Sequence, residues 1–267
     1  MKSRKNKKTN YKKRTRNKIK KAGANGEGRK IKSLKNASIN SILKLYKQHN
    51  SISFKNFLRN DIGLNNNSPE MDQLKIIRTN DDINDAVTLW CSDPASAKKQ
   101  YGHISDWDTS RVNDMTRLFF EKNNFNDDIS RWNVSNVTDM KFMFYKAHSF
   151  NNGDEPGESN NPLEWNVSNV TNMAGMFNFA RSFNQNIHEW NVSSVTNMRD
   201  LFDHASNFNQ DISNWNVSSV TNMNCMFSYA KKFNQNISGW NVSNDTSMWG
   251  MFQDCDIPEN YKPKKNE

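Results

Sequence analysis

A tryptophan that returns at a nearly constant interval is the feature that most constrains the fold of this chain. It stands at six places: Trp107, Trp132, Trp165, Trp190, Trp215 and Trp240. Four of the five intervals are 25 residues long, and the second is 33, which is an insertion of eight. A fixed period of this length is typical of a solenoid, in which each repeat packs on its neighbours. The sequence therefore predicts six stacked repeats over residues 103–257.

Apolar residues occupy constant places within each repeat, which we number from its Trp as position 0. Val recurs at positions 2 and 5, Met at 8, Met or Leu at 11, Phe at 12, Ala at 15 in four repeats, Phe at 18 in five and Ile at 22 in four. One repeat cannot bury so many apolar side chains alone, so stacking must hide them between neighbours, each large one contributing about 1.5–3 kcal/mol. The pattern predicts a short strand from position 18 to the next Trp, a bend after the Trp, and a helical turn at positions 11–15.

Asparagine also recurs, at positions 1 and 19, as in Asn133 and Asn126. A repeated Asn can hydrogen-bond backbone groups that each bend leaves unpaired, so we interpret both sets as structural. The alternative is N-glycosylation, because Asn133-Val-Ser135 and its equivalents are formal acceptor sequences. Such sequences are used only in the secretory pathway, and we find no signal peptide.

The full repeat pattern is Trp-Asn-Val-Ser-x-Val-Thr-x-Met-x-x-Met-Phe-x-x-Ala-x-x-Phe-Asn-x-x-Ile, and it covers about residues 101–257. It resembles the BspA-like surface-protein repeat of mycoplasma lipoproteins, which is related to the leucine-rich repeats. The resemblance implies an α/β fold in the form of a right-handed, leucine-rich-repeat-like solenoid. It also implies a role in adhesion or protein recognition, and no enzyme activity.

Segments that flank the repeats are expected to cover the ends of the stack, which would otherwise expose apolar surface. Residues 81–102 are predicted to form an N-terminal helical cap, because Ile83, Ala86, Val87 and Trp90 have helical spacing. Residues 36–80 are predicted to hold a helical segment and a loop, and residues 258–267 a C-terminal tail.

Residues 1–35 form a strongly basic tail with 16 Lys and Arg against one acid, whereas residues 36–267 have a net charge of −6. This tail contains few apolar residues, which predicts that it is disordered. The basic runs include Lys7, Lys8, Lys12, Lys13, Arg14 and Arg16. Nuclear targeting, nucleic-acid binding, contact with acidic proteins or membrane surfaces, and simple solubility all fit such runs. We expect an intracellular protein, nuclear or virion-associated, and the 44 Asn suggest an AT-rich genome such as that of a giant virus or a protist.

No motif in the chain indicates catalysis, a cofactor or a metal site. The five His are scattered, and Cys91, Cys225 and Cys255 have neither zinc-ligand nor disulfide spacing. The chain lacks a phosphate-binding loop, a nucleophile elbow, a His-Glu-x-x-His motif and any apolar segment long enough to span a membrane. We therefore predict a non-enzymatic protein without cofactor.

Residues that vary between repeats are the candidates for recognition, because the constant ones build the scaffold. Aromatic residues at positions 13 or 14 form one such set: Phe120, Tyr145, Phe179, His204 and Tyr229. Basic residues at nearby variable positions form a second set: Arg117, Lys141, Arg181, Arg199, Lys231 and Lys232. Stacking would bring both sets into one band suited to a protein partner. The alternative is that the aromatic side chains fold back onto their repeats as ordinary packing.

The eight-residue insertion near residues 153–159 is polar and acidic, which predicts a loop that projects from one edge of the stack. Two functions are consistent with the sequence as a whole. In the first, the solenoid binds a protein partner and the basic tail directs the protein to its location. In the second, the tail binds nucleic acid and the solenoid is a spacer.

Overall fold

The computed structural model describes residues 75–266, which belong to the second of two units of the chain. The regular elements are β1 (Ile77–Thr79), α1 (Ile83–Ser92), α2 (Pro94–Tyr101) and β2 (Asp108–Arg111), with 3-10 turns at Ile104–Asp106 and Glu259–Tyr261. The predicted basic tail over residues 1–35, and the helical segment and loop over residues 36–80 except for its last six residues, lie outside the described residues.

Helix α1 packs on the first repeat because its apolar side chains share one face. The buried residues of this face are Ile83, Ala86, Val87 and Trp90. The Nε1 of Trp90 donates to Asp127 Oδ2 at 2.9 Å, and the Trp90 ring meets that of Trp107 edge-on at 6.2 Å. Both α1 and α2 lie within the range for which the sequence predicts a cap. Strand β1 pairs in parallel with β2, which follows the first repeat Trp.

The constant apolar positions of the repeats point into a shared core. The six repeat Trp side chains are 2–4% exposed, and the Phe at position 12 is fully buried in the first five repeats. Rings at the same position stack between neighbours: the centroids of Phe177 and Phe202 are 5.7 Å apart, and those of Trp190 and Trp215 are 6.5 Å apart. Separations of this size are favourable for offset aromatic pairs. The core is thus a set of side-chain columns that run through successive repeats.

Backbone hydrogen bonds join neighbouring repeats in a regular alternation. At positions 8, 10, 12 and 14 the N–H group donates to the carbonyl at position 7, 9, 11 or 13 of the next repeat, as Met198 N does to Asn222 O at 2.8 Å. At positions 11, 13 and 15 the N–H group donates three residues back within its own repeat, as Leu201 N does to Met198 O at 3.2 Å. Residues at position 7 pair as isolated parallel bridges, from Asp114 through to Ser247.

The predicted strand and helical turn within each repeat are both wrong. Residues 112–258 of the structure contain no helix and no strand; their strand-like pairings are the bridges at position 7 and one bridge from Val242 to Lys265, all outside the expected strand. Positions 10 and 14 have positive φ, for example +57° at Arg117 and +59° at His204, which no α-helix allows. The apolar positions 8, 11, 12 and 15 happen to have helical spacing. Here successive tight turns, and not a helix, direct those side chains inward.

The two recurring Asn sets have different structural roles. At position 19 the side-chain oxygen accepts from the backbone of the next repeat: Asn151 Oδ1 from Asn184 N at 2.8 Å, and Asn184 Oδ1 from Asn209 N at 2.8 Å. At position 1 the bond is local, as Asn191 Oδ1 accepts from Ser193 N and Oγ two residues later. Only the first set forms a ladder between repeats, and the second stabilises the bend after each Trp.

The inserted loop exposes Gly153, Glu155, Pro156 and Glu158 but is anchored through Asp154. Asn151 and Asn152 are fully buried, and Asp154 is only 9% exposed. The Asp154 carboxylate accepts from the backbone N–H of Asn161 at 2.9 Å and from Gln185 Nε2 at 2.9 Å. Because a buried carboxylate must be satisfied by donors, these bonds fold the insertion back onto the third repeat.

Candidate recognition band

The structure brings all five predicted aromatic side chains into one row across the first five repeats. Between neighbours the ring centroids are 4.7 Å apart for Phe120 and Tyr145, 6.3 Å for Tyr145 and Phe179, 4.1 Å for Phe179 and His204, and 4.4 Å for His204 and Tyr229. The second of these contacts is edge-on and the other three are stacked. We call these five side chains the aromatic band.

The aromatic band is half-buried, unlike the Phe columns of the core. Each of its rings retains exposed surface, and the His204 side chain is 33% exposed. The band moves from position 13 to position 14 between Tyr145 and Phe179, where its one edge-on contact lies. The carbonyl of position 13 and the N–H of position 14 belong to one peptide group, which bonds to both neighbouring repeats. The scaffold therefore fixes the row through the backbone and leaves the choice of side chain open.

Basic side chains lie against four of the five rings. The charged groups stand 5.1 Å from the ring centroid for Arg117 over Phe120, 5.2 Å for Lys146 over Tyr145, 6.0 Å for Arg181 over Phe179, and 5.7 Å for Lys231 over Tyr229. These distances are within the range of cation–π attraction. Three of the predicted cations, Arg117, Arg181 and Lys231, thus contact the band. Arg199 pairs with Asp200 at 3.0 Å instead.

Phe142 and Lys146 adjoin the band and were not predicted from the sequence. Phe142, with φ +56°, meets Tyr145 edge-on at 5.6 Å, and the cations Arg117 and Lys141 lie 5.7 and 5.3 Å from its ring. The sequence did contain a signal, because Phe at position 10 of the second repeat is followed by Gly175 at position 10 of the third. A residue without Cβ leaves room for the ring above it.

Two carboxylates near the band have side-chain partners, and a third, Asp254, lies beside Tyr229 and raises the pKa of its hydroxyl through a side-chain hydrogen bond. Glu121 binds Lys146 at 3.1 Å, and Asp203 binds His204 Nδ1 at 2.7 Å. The hydrogen bond to Glu121 raises the pKa of Lys146. Burial raises the pKa of Asp200, an effect that its partner Arg199 opposes.

Residues 75–266 contain no group of three or more His, Cys, Asp or Glu side chains able to hold a metal ion. Burial raises the pKa of the Cys225 and Cys255 thiols, which disfavours the thiolate form that a nucleophile needs. Within the same residues, no helix is both long enough and apolar enough to cross a lipid bilayer.

The predicted targeting or nucleic-acid-binding residues of the tail lie outside the described residues: Lys7, Lys8, Lys12, Lys13, Arg14 and Arg16.

A family profile described as "Mycoplasma protein of unknown function, DUF285" matches the chain twice, over residues 95–161 and 157–262. The two matches meet in the insertion, where the 25-residue period is interrupted. No curated protein and no solved structure matches the chain.

Proposed function

The chain belongs to the family described as Mycoplasma protein of unknown function, DUF285, and we propose that it is a non-enzymatic scaffold that binds a protein partner through the aromatic band. In this proposal the repeats form a right-handed, leucine-rich-repeat-like solenoid of the BspA-like type. The basic tail directs the protein to an intracellular location, the nucleus or a virion.

The observation that carries the proposal is the continuous row of half-exposed rings with cations over four of them. The core does not need this row, because the fully buried Phe columns already fill the space between repeats. Exposed aromatic side chains beside Arg are enriched where proteins bind proteins. The parallel bridges between successive repeats support the solenoid.

The alternative function, nucleic-acid binding with the repeats as a spacer, depends on the basic tail. The experiment must therefore separate the tail from the band. We would immobilise the full chain and capture proteins from a host-type lysate, with and without nuclease. The test variant is Tyr145→Ala with Phe179→Ala, and the matched control is His188→Ala, a partly exposed ring that lies at position 23, away from the band. A third variant replaces Lys12, Lys13, Arg14 and Arg16 by Gln.

We expect one discrete protein to be captured by the wild type, the His188→Ala control and the tail variant, with or without nuclease. The double band variant should lose it while retaining its circular dichroism spectrum and a cooperative thermal transition. Capture that disappears with nuclease or with the tail variant, and persists in the folded double band variant, would refute the proposal in favour of the nucleic-acid alternative.

A further inference from the structure

Charge is distributed very unevenly between the band and the rest of the repeats. Positions 9–17 of the first five repeats, the segment that contains the band, hold eight basic and three acidic residues, a net charge of +5. Residues 75–266 together hold 17 basic and 23 acidic residues, a net charge of −6. The remainder of the described residues therefore carries −11. The band lies on a cationic strip of an otherwise acidic surface.

Most of the cations of this strip form no ion pair within residues 75–266. Of its three carboxylates, Glu121 forms an ion pair with Lys146 and Asp200 with Arg199. The third, Asp203, lies 2.7 Å from His204 Nδ1. Six of its cations form no ion pair with a described residue: Arg117, Lys122, Lys141, Arg181, Lys231 and Lys232. The strip thus presents positive charge that the folded repeats do not neutralise.

The geometry of the rings favours the same kind of partner. Three of the four contacts of the band are stacked at 4.1–4.7 Å, so ring faces are covered by neighbouring rings there and the ring edges are left for a partner. The edge of an aromatic ring carries partial positive charge. Nucleic-acid bases, by contrast, need a free ring face on which to stack. The ring edges and the cations together are complementary to a partner that carries carboxylates next to apolar side chains.

We propose that the aromatic band binds an acidic polypeptide segment of its partner, whose carboxylates pair with Arg117, Arg181 and Lys231 along the cationic strip. This inference rests on the proposed function and names the chemistry of the partner. The chain's own N-terminal tail does not fit the description, because residues 1–35 carry a net charge of about +15 and the strip would repel them.

The test measures binding of a fluorescently labelled peptide of alternating Glu and Leu to the full chain by anisotropy. The band variant reverses three charges by Arg117→Glu, Arg181→Glu and Lys231→Glu. The matched control reverses three exposed cations elsewhere by Lys98→Glu, Lys99→Glu and Lys264→Glu. Both variants keep the tail and change the net charge equally, so any contribution of the tail cancels in the comparison.

We expect the band variant to bind the acidic peptide about tenfold more weakly than the control, from three lost pairs of modest strength. A peptide of alternating Gln and Leu should bind weakly to all forms, and single-stranded oligothymidylate should not distinguish the two variants. Equal affinity of the two variants for the acidic peptide would overturn the inference, as would a selective loss of oligothymidylate binding in the band variant. The neutralising set Arg117→Gln, Arg181→Gln and Lys231→Gln should weaken binding in the same direction, which guards against a folding defect in the reversed variant.

The outcome also separates this inference from the proposed function. If the partner captured from lysate is lost by Tyr145→Ala with Phe179→Ala but retained by the three charge reversals, the aromatic band binds a protein that is not recognised by its acidity.

Discussion

Replacing Gly175 by Ala tests how much the close packing beside the aromatic band contributes to stability. A Cβ at Gly175 would lie 2.3 Å from Cδ1 and from Cε1 of Phe142, far inside van der Waals contact. Gly175 also has φ +61°, a conformation that disfavours side chains other than hydrogen. The Phe142 ring would have to move, and with it the edge-on contact to Tyr145.

Gly250 provides a matched control, because it occupies the same repeat position with nearly the same φ of +64°. The nearest atom to a Cβ there is Cys225 Sγ at 3.3 Å, a contact that a small shift relieves. Both substitutions carry the cost of a left-handed residue, about 1–2 kcal/mol, partly offset by lower entropy of the unfolded chain. Only Gly175→Ala adds overpacking, which costs about 1–3 kcal/mol. We therefore expect Gly175→Ala to be less stable than Gly250→Ala by about 1–3 kcal/mol.

The measurement is urea unfolding of the full chain, followed by Trp fluorescence because the six repeat Trp are buried in this unit. The midpoint should fall in the order wild type, Gly250→Ala, Gly175→Ala, with an unchanged slope. Equal stability of the two variants would mean that Phe142 does not occupy the space above Gly175, and the account of how this edge of the band is supported would be wrong.

Three further predictions follow from the same structure. Phe177→Ala, in a fully buried column, should reduce the free energy of unfolding by about 3–5 kcal/mol, whereas Phe179→Ala in the half-exposed band should cost clearly less in the same urea experiment. Asp200→Asn should stabilise the protein at neutral pH, because burial raises the pKa of Asp200 and φ +56° suits Asn. An acid whose pKa is raised on folding destabilises above that pKa, so the advantage of Asn should shrink as the pH falls through it. Amide hydrogen exchange should be faster in the last repeat, where four N–H groups have no following repeat to bond, than at the same positions of the fourth repeat. The amides to compare are those of Met248, Gly250, Phe252 and Asp254 with those of Met198, Asp200, Phe202 and His204.

The 25-residue period predicted which side chains form the core, because burial depends on repeated apolar identity and not on the exact backbone path. Trp190, Met198, Phe202 and Phe208 are all buried as expected. The period could not predict the backbone conformation. Positive φ at a non-Gly residue such as Phe142 is unusual, and no local propensity signals it. The neighbouring repeats impose the positive φ, because the alternation of hydrogen bonds within and between repeats requires every second peptide group to point along the stack.

The candidate site, too, could be predicted from the sequence only in part. That Phe120, Tyr145, Phe179, His204 and Tyr229 lie together followed from stacking alone. The cation contacts did not follow so directly, because long Lys and Arg side chains can reach several neighbours and the sequence fixes only their Cα positions. The packing of the insertion could not be predicted, because it involves one buried carboxylate, Asp154, and the sequence does not distinguish this residue from the other acids of the loop.

The arrangement of peptide groups explains how recognition can vary while the scaffold stays constant. Ser228 O accepts from His204 N at 2.8 Å and Tyr229 N donates to Gln253 O at 2.8 Å, so the peptide group between Ser228 and Tyr229 bonds to both neighbouring repeats without any side chain. The side chains at positions 13 and 14 therefore take no part in these backbone hydrogen bonds, and Phe, Tyr and His all occur there on the same backbone. A scaffold held by backbone bonds and buried columns can change its outer row with small effects on stability. Binding and stability should accordingly respond to different substitutions in this protein.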